Sequence, residues 1–66
     1  MDILVNGEKT SIEDNMTLGA LIANMALKGT RYAVEVNEEL IPRSQHANHP
    51  LHEGDIVEIV QAIGGG

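Results

Sequence analysis

The sequence predicts an α+β fold, one sheet of four to five strands packed through one face on a single helix. Three observations predict it. The chain has 66 residues, which allows one small core and no second one. One segment has helical apolar spacing, with Leu18, Leu21, Ile22 and Met25 at i, i+3, i+4 and i+7. The other apolar runs are short and bounded by turn residues, as strands are. A single helix covers one face of a sheet, so the other face is expected to stay open.

The elements follow in order. Ile3-Leu4-Val5 is a strand, and Asn6-Gly7 after it is a strong hairpin signal. Lys9 to Ile12 is the polar return strand of an edge. Thr17 is placed to cap the helix, and Gly29 after Lys28 reads as its C-cap region. Gly19 in the first turn costs about 1 kcal/mol relative to alanine, and its small size suits close packing on the sheet. Ala33 to Val36 alternates, with Val34 and Val36 on one side and Glu35 on the other. Asn37-Glu38-Glu39 turns the chain into Leu40-Ile41, and Pro42 ends that short strand as at an edge. Arg43 to Pro50 reads as polar and irregular, and Glu53-Gly54-Asp55 as a turn. Ile56 to Ala62 is the longest strand candidate. It runs into Gly64-Gly65-Gly66, which divides the chain into a domain over residues 1–63 and a glycine tail over 64–66.

Period two sorts the side chains. With Glu58 in solvent, Val57 and Ile59 face the helix, while Ile56, Val60 and Ala62 face outward. Ile3 and Val5 are then core and Leu4 points out. Leu4, Ile56, Val60 and Ala62, with Ile63 beyond them, are expected to form an exposed apolar patch beside the root of the tail, the kind of surface that marks protein interfaces.

A glycine run that closes a sequence leaves a main-chain carboxylate on a thin stalk. Without Cβ atoms the stalk fits a cleft that any side chain would block. That arrangement suits a carboxylate activated by a partner. A frayed end or a cloning remnant would look the same at this point.

Composition excludes several classes. There is no cysteine, so no disulfide scaffold, cysteine zinc site or thiol nucleophile, as suits a reducing cytoplasm. Lys9, Lys28, Arg31 and Arg43 are the only cations besides histidine, and the net charge is −6. With Tyr32 the sole aromatic among Phe, Trp and Tyr, nucleic acid is not an expected partner. A partner with a basic docking face is. Met1-Asp2 opens no signal peptide, and Leu18 to Leu27, interrupted by Asn24, is too short to span a bilayer. A cytoplasmic protein without membrane contact is expected.

Catalytic constellations are weak. His46, His49 and His52 recur every three residues, but Pro50 breaks any helical face that would gather them on a metal, so no metal site is expected. Ser11 and Ser44 lie in no nucleophile elbow, and Gly7 and Gly54 belong to no phosphate loop. The chain does not read as an enzyme with its own active site.

The order strand-hairpin-helix-strands, closed by Gly65-Gly66, resembles the ubiquitin-like β-grasp proteins. Val34-Glu35-Val36-Asn37 through Ile41-Pro42-Arg43-Ser44-Gln45 is similar to the V-N-x-x-I-V-P-R region of the ThiS family, the sulfur carriers of thiamine biosynthesis. The opening Ile3-Leu4-Val5-Asn6-Gly7-Glu8 and the close from Glu53-Gly54-Asp55 to Gly66 are similar to that family as well. The resemblance covers essentially the whole chain and implies a β-grasp fold with a mixed sheet.

It also implies a mechanism. A ThiF-type adenylyltransferase uses ATP to turn the Gly66 carboxylate into an acyl-adenylate. A persulfide sulfur, from a cysteine desulfurase relay, replaces AMP and leaves a thiocarboxylate. Thiazole synthase takes that sulfur into the thiazole ring. Gly66 is the implied attachment point, Gly64 and Gly65 thread into the partner, and the carrier binds no cofactor. The small subunit of molybdopterin synthase shares the fold and tail, but that family is usually longer and lacks the Asn37 to Arg43 pattern. A ubiquitin-like module that binds proteins or is conjugated to them is the alternative of another class.

Overall fold

The computed structural model describes residues 1–27 and 31–61. The expectations placed on Lys28, Gly29, Ala62, Ile63, Gly64, Gly65 and Gly66 lie outside the described residues.

Five strands and a helix form in the order β1 (Asp2–Val5), β2 (Glu8–Ser11), α1 (Leu18–Asn24), β3 (Tyr32–Val36), β4 (Glu39–Leu40) and β5 (Ile56–Gln61). The sheet runs β2-β1-β5-β3-β4. β1 and β5 are parallel and the other pairs antiparallel, so the sheet is mixed, with the last strand at its centre.

Two turns set the registers. Asn6 (φ 51°) and Gly7 (φ 84°) are both left-handed, the requirement of a two-residue hairpin turn, and they pair Val5 with Glu8. The return strand therefore starts one residue before the expected Lys9. Asn37 (φ 52°) and Glu38 (φ 70°) repeat the device and pair Val36 with Glu39, although Glu38 takes the position that glycine prefers.

The hydroxyl of Thr17 accepts the Ala20 N–H at 3.2 Å, which caps α1 as expected. Leu18, Leu21 and Ile22 are buried from the helix, Ile3 and Val5 from β1, Val34 and Val36 from β3, and Val57 and Ile59 from β5. The inward set read from the alternation thus lies in the core, together with Ile41 and Leu51.

Three local readings need correction. The helix ends at Asn24, not near Gly29. Met25 caps it with its N–H on the Ile22 carbonyl, and Ala26 turns left-handed at φ 52°. Two helical turns complete the apolar face, and the chain then turns so that Leu27 packs against the core. Gly19 makes its close approach to another segment than the sheet. A Cβ there would lie 3.0 Å from the Ala47 Cα and 3.2 Å from the His46 carbonyl oxygen.

That segment supplies the third correction. Residues Arg43–Asn48 form a 3₁₀ helix instead of an irregular loop. It is fastened to the start of α1, where the Leu18 N–H donates to the His49 carbonyl at 2.8 Å. His46 is 6% exposed, with Nε2 2.8 Å from the Ile41 carbonyl and its ring stacked on Tyr32 at 6.3 Å between centroids. A histidine that reads as solvated thus closes one end of the core.

Candidate docking face along the last strand

β5 owes its position to polar groups on both flanks. The Asn6 N–H donates to the Val57 carbonyl at 2.9 Å, and its side-chain oxygen accepts the Ile59 N–H at 2.8 Å. On the other flank the Asn37 N–H donates to the Ile56 carbonyl at 2.8 Å, and the Asn37 side-chain oxygen accepts the Ile56 N–H at 3.0 Å. Each asparagine thus does two things at once. It takes the left-handed backbone of its turn, and its amide continues the hydrogen bonding of the central strand.

Held in this register, β5 puts Ile56, Glu58 and Val60 on the open face. Ile56 is 46% and Val60 67% exposed, and Leu4, opposite Ile56, is 38% exposed. These residues do not form one continuous surface. Leu4 and Ile56 lie at the start of β5. Val60 sits beside Ala33 near its end, about 13 Å further along the strand. Between them Glu58 stands directly opposite Glu35. Leu40, 63% exposed, joins the same face across from Glu35. Sequence reading missed it as an outward residue. The two-residue turn at Asn37-Glu38 carries the signal, because its register sets Leu40 opposite the outward Glu35.

Tyr32 pairs with Gln61, so the end of the sheet where β5 leaves is built from the start of β3. A groove there is lined by Arg31, Tyr32, Ala33 and Val60. The Arg43 guanidinium carbon lies 4.3 Å from the centroid of the Tyr32 ring.

The three histidines are kept apart. His46 is turned into the core, His49 is half-buried, and His52 is exposed with Nδ1 4.0 Å from the Asp55 carboxylate. Among the described residues no three His, Cys, Asp or Glu side chains gather around a common point for a metal, and no helix is long and apolar enough to cross a membrane. The face can pair apolar and charged groups with a partner surface, which is recognition chemistry.

The chain is similar to known proteins. The sulfur carrier protein ThiS of Escherichia coli strain K12 is 29% identical over 66 residues, covering 100% of both chains. The thiazole synthase of Paramagnetospirillum magneticum is 38% identical over 66 residues, but the chain spans only 20% of the length of that enzyme. The crystal structure of the thiamine biosynthesis protein ThiS from Geobacter metallireducens superposes with a TM-score of 0.85 at 25% identity, covering 100% of both chains. The mixed sheet with its α-helix is therefore the ubiquitin-like β-grasp. The model of the ThiS family matches residues 3–66, and the chain belongs to that family.

Proposed function

We propose that the chain is a sulfur carrier of thiamine biosynthesis, with the Gly66 carboxylate as its working group. The observation that carries this reading is the family match, which runs to Gly66 itself. The fold supports it. β5 (Ile56–Gln61), hydrogen-bonded on both sides, is the last described strand, and we assign residues 1–63 to the domain and 64–66 to a tail that follows it. Extended chain from Gln61 to Gly66 spans at most about 17 Å, short enough that the open face docks while the terminus reaches an active site.

The chemistry follows from the carboxylate. Its negative charge is shared between the two oxygens, which leaves the carbon a poor electrophile, so sulfur does not add to it. An oxygen of Gly66 attacks the α-phosphorus of ATP on an adenylyltransferase of the ThiF type, and pyrophosphate leaves. A persulfide from a cysteine desulfurase relay attacks the acyl carbon, and AMP departs. A thiol of the relay cleaves the sulfur–sulfur bond, leaving the thiocarboxylate. Thiazole synthase receives that sulfur, and the 38% likeness to a segment of a thiazole synthase supports this partner. The carrier binds no cofactor and contributes no acid or base. Partner enzymes supply positioning and charge stabilisation in the cytoplasm. Leu4, Ile56 and Val60, with Ala62 and Ile63, are the residues we assign to docking.

Intact-mass measurement tests the reading. After incubation with adenylyltransferase, ATP and a sulfur source, the full chain gains the mass of one oxygen exchanged for sulfur. A chain lacking Gly66 keeps its fold and gains nothing. Equal sulfur loading of the truncated chain overturns the proposal. A stable isopeptide to lysine side chains marks the conjugated module instead.

A further inference from the structure

Two carboxylates share the centre of the open sheet face. Glu35 of β3 stands directly opposite Glu58 of β5, and both are exposed. Side chains in such a pair leave the sheet about 5 Å apart, and like charges there lower stability. Neither carboxylate has a side-chain hydrogen bond or an ion pair among the described residues. Lys9 stands across β1 on the edge strand β2, with its Nζ 3.8 Å from Asp2. Ten acidic residues against four basic ones leave solubility no need of the pair. Apolar side chains surround it. Leu40 lies across from Glu35, and Ile56 and Val60 precede and follow Glu58 on the same side of β5. All three are exposed. A partner that covers them excludes water from the carboxylates and so strengthens any charge interaction made there.

We infer that this face seats a guanidinium of thiazole synthase between Glu35 and Glu58, with apolar side chains of the enzyme against Leu40, Ile56 and Val60. The inference rests on the carrier reading and adds the partner's chemistry. The likeness of this chain to a segment of a thiazole synthase favours that enzyme among the partners that receive the tail. One arginine can hydrogen-bond a carboxylate along each of two edges of its planar fork, a geometry that a lysine ammonium lacks. Seating it replaces a repulsion between the two glutamates with two attractions, so the stability given up in the free chain returns on binding. A second copy of this chain does not fit, because stacking two open faces would bring like carboxylate pairs together.

The test uses the full chain, thiazole synthase from the same source and three variants that each remove one negative charge. Glu35→Gln and Glu58→Gln lie on the face, and Glu13→Gln lies in the segment between β2 and α1. Each face variant is expected to bind about tenfold more weakly while its urea midpoint holds or rises, because the like-charge pair is gone. Glu13→Gln is expected to bind within about twofold of the parent chain. The differences shrink near 1 M salt, where the screening length falls to about 3 Å. Sulfur loading of the parent chain, read by intact mass, reports the carrier reading separately. If the parent chain loads sulfur and the face variants bind the synthase as it does, the guanidinium seat is wrong and the carrier reading stands. The same follows if the parent chain loads sulfur and does not bind the synthase. Equal weakening by all three variants also overturns the seat, since only total charge would then matter. So does a chain carrying both face changes that self-associates yet binds the synthase undiminished, because the pair would then only keep copies apart. A parent chain that neither loads sulfur nor binds the synthase takes both readings down.

Discussion

The side-chain amide of Asn37 donates to the carboxylate of Asp55 at 3.0 Å, joining the β3–β4 turn to the residue that precedes β5. The other Asp55 oxygen accepts the His52 N–H at 2.8 Å, and Asp55 is 8% exposed. Asn37→Gly keeps the left-handed turn and removes the side-chain bonds, while Asp55→Ala removes the acceptor. Each is expected to lower stability by about 1–3 kcal/mol in urea unfolding. The double variant is expected to lose less than the sum, because the two share one bond.

Glu38 sits at φ 70° in a two-residue turn. Left-handed backbone costs a residue with a Cβ about 1–2 kcal/mol, and glycine gives back about 0.4–1 kcal/mol through its freer unfolded chain. Glu38→Gly is therefore expected to stabilise by about 0.5–1 kcal/mol. A higher urea midpoint at unchanged slope is the expected observation.

Gly19→Ala removes a poor helix former, yet it is expected to destabilise. The added methyl meets backbone atoms of Ala47 at 3.0 and 3.2 Å, and backbone cannot swing aside as a side-chain tip does. Overpacking of about 1–3 kcal/mol outweighs the helix gain of about 1 kcal/mol. The thermal midpoint is expected to fall.

Val60→Asp separates docking from folding. Val60 is 67% exposed and outside the core, so stability is expected to change by no more than about 0.5 kcal/mol. Association with thiazole synthase is expected to weaken, and titration of the two proteins measures it. Val57→Ala, on the buried side of the same strand, does the reverse: it lowers stability and leaves the open face intact.

The fold was legible where the chain obeys short-range rules. Asn6-Gly7, the Thr17 cap and the alternation through Val57 and Ile59 each have a local physical cause, and each stands where the residues put it. The readings that failed depend on distant segments. Nothing near Gly19 announces that Ala47 will press on it. Nothing near His46 announces a ring stacked on Tyr32, because a histidine beside polar neighbours reads as solvated. The helix end was misplaced because Gly29 is the stronger local signal, whereas packing of Leu27 decides where the chain turns. The open face was legible residue by residue through period two. Its division into bands was not, since that requires knowing that Glu35 stands opposite Glu58.

The placement of β5 between β1 and β3 also has a mechanical consequence. Traction applied to the chain beyond Gln61 runs along the strand axis and across its hydrogen bonds. Both ladders and the two asparagine clamps are then loaded in shear, so their bonds must yield together instead of peeling one by one. An edge strand under the same pull would oppose it with one ladder instead of two.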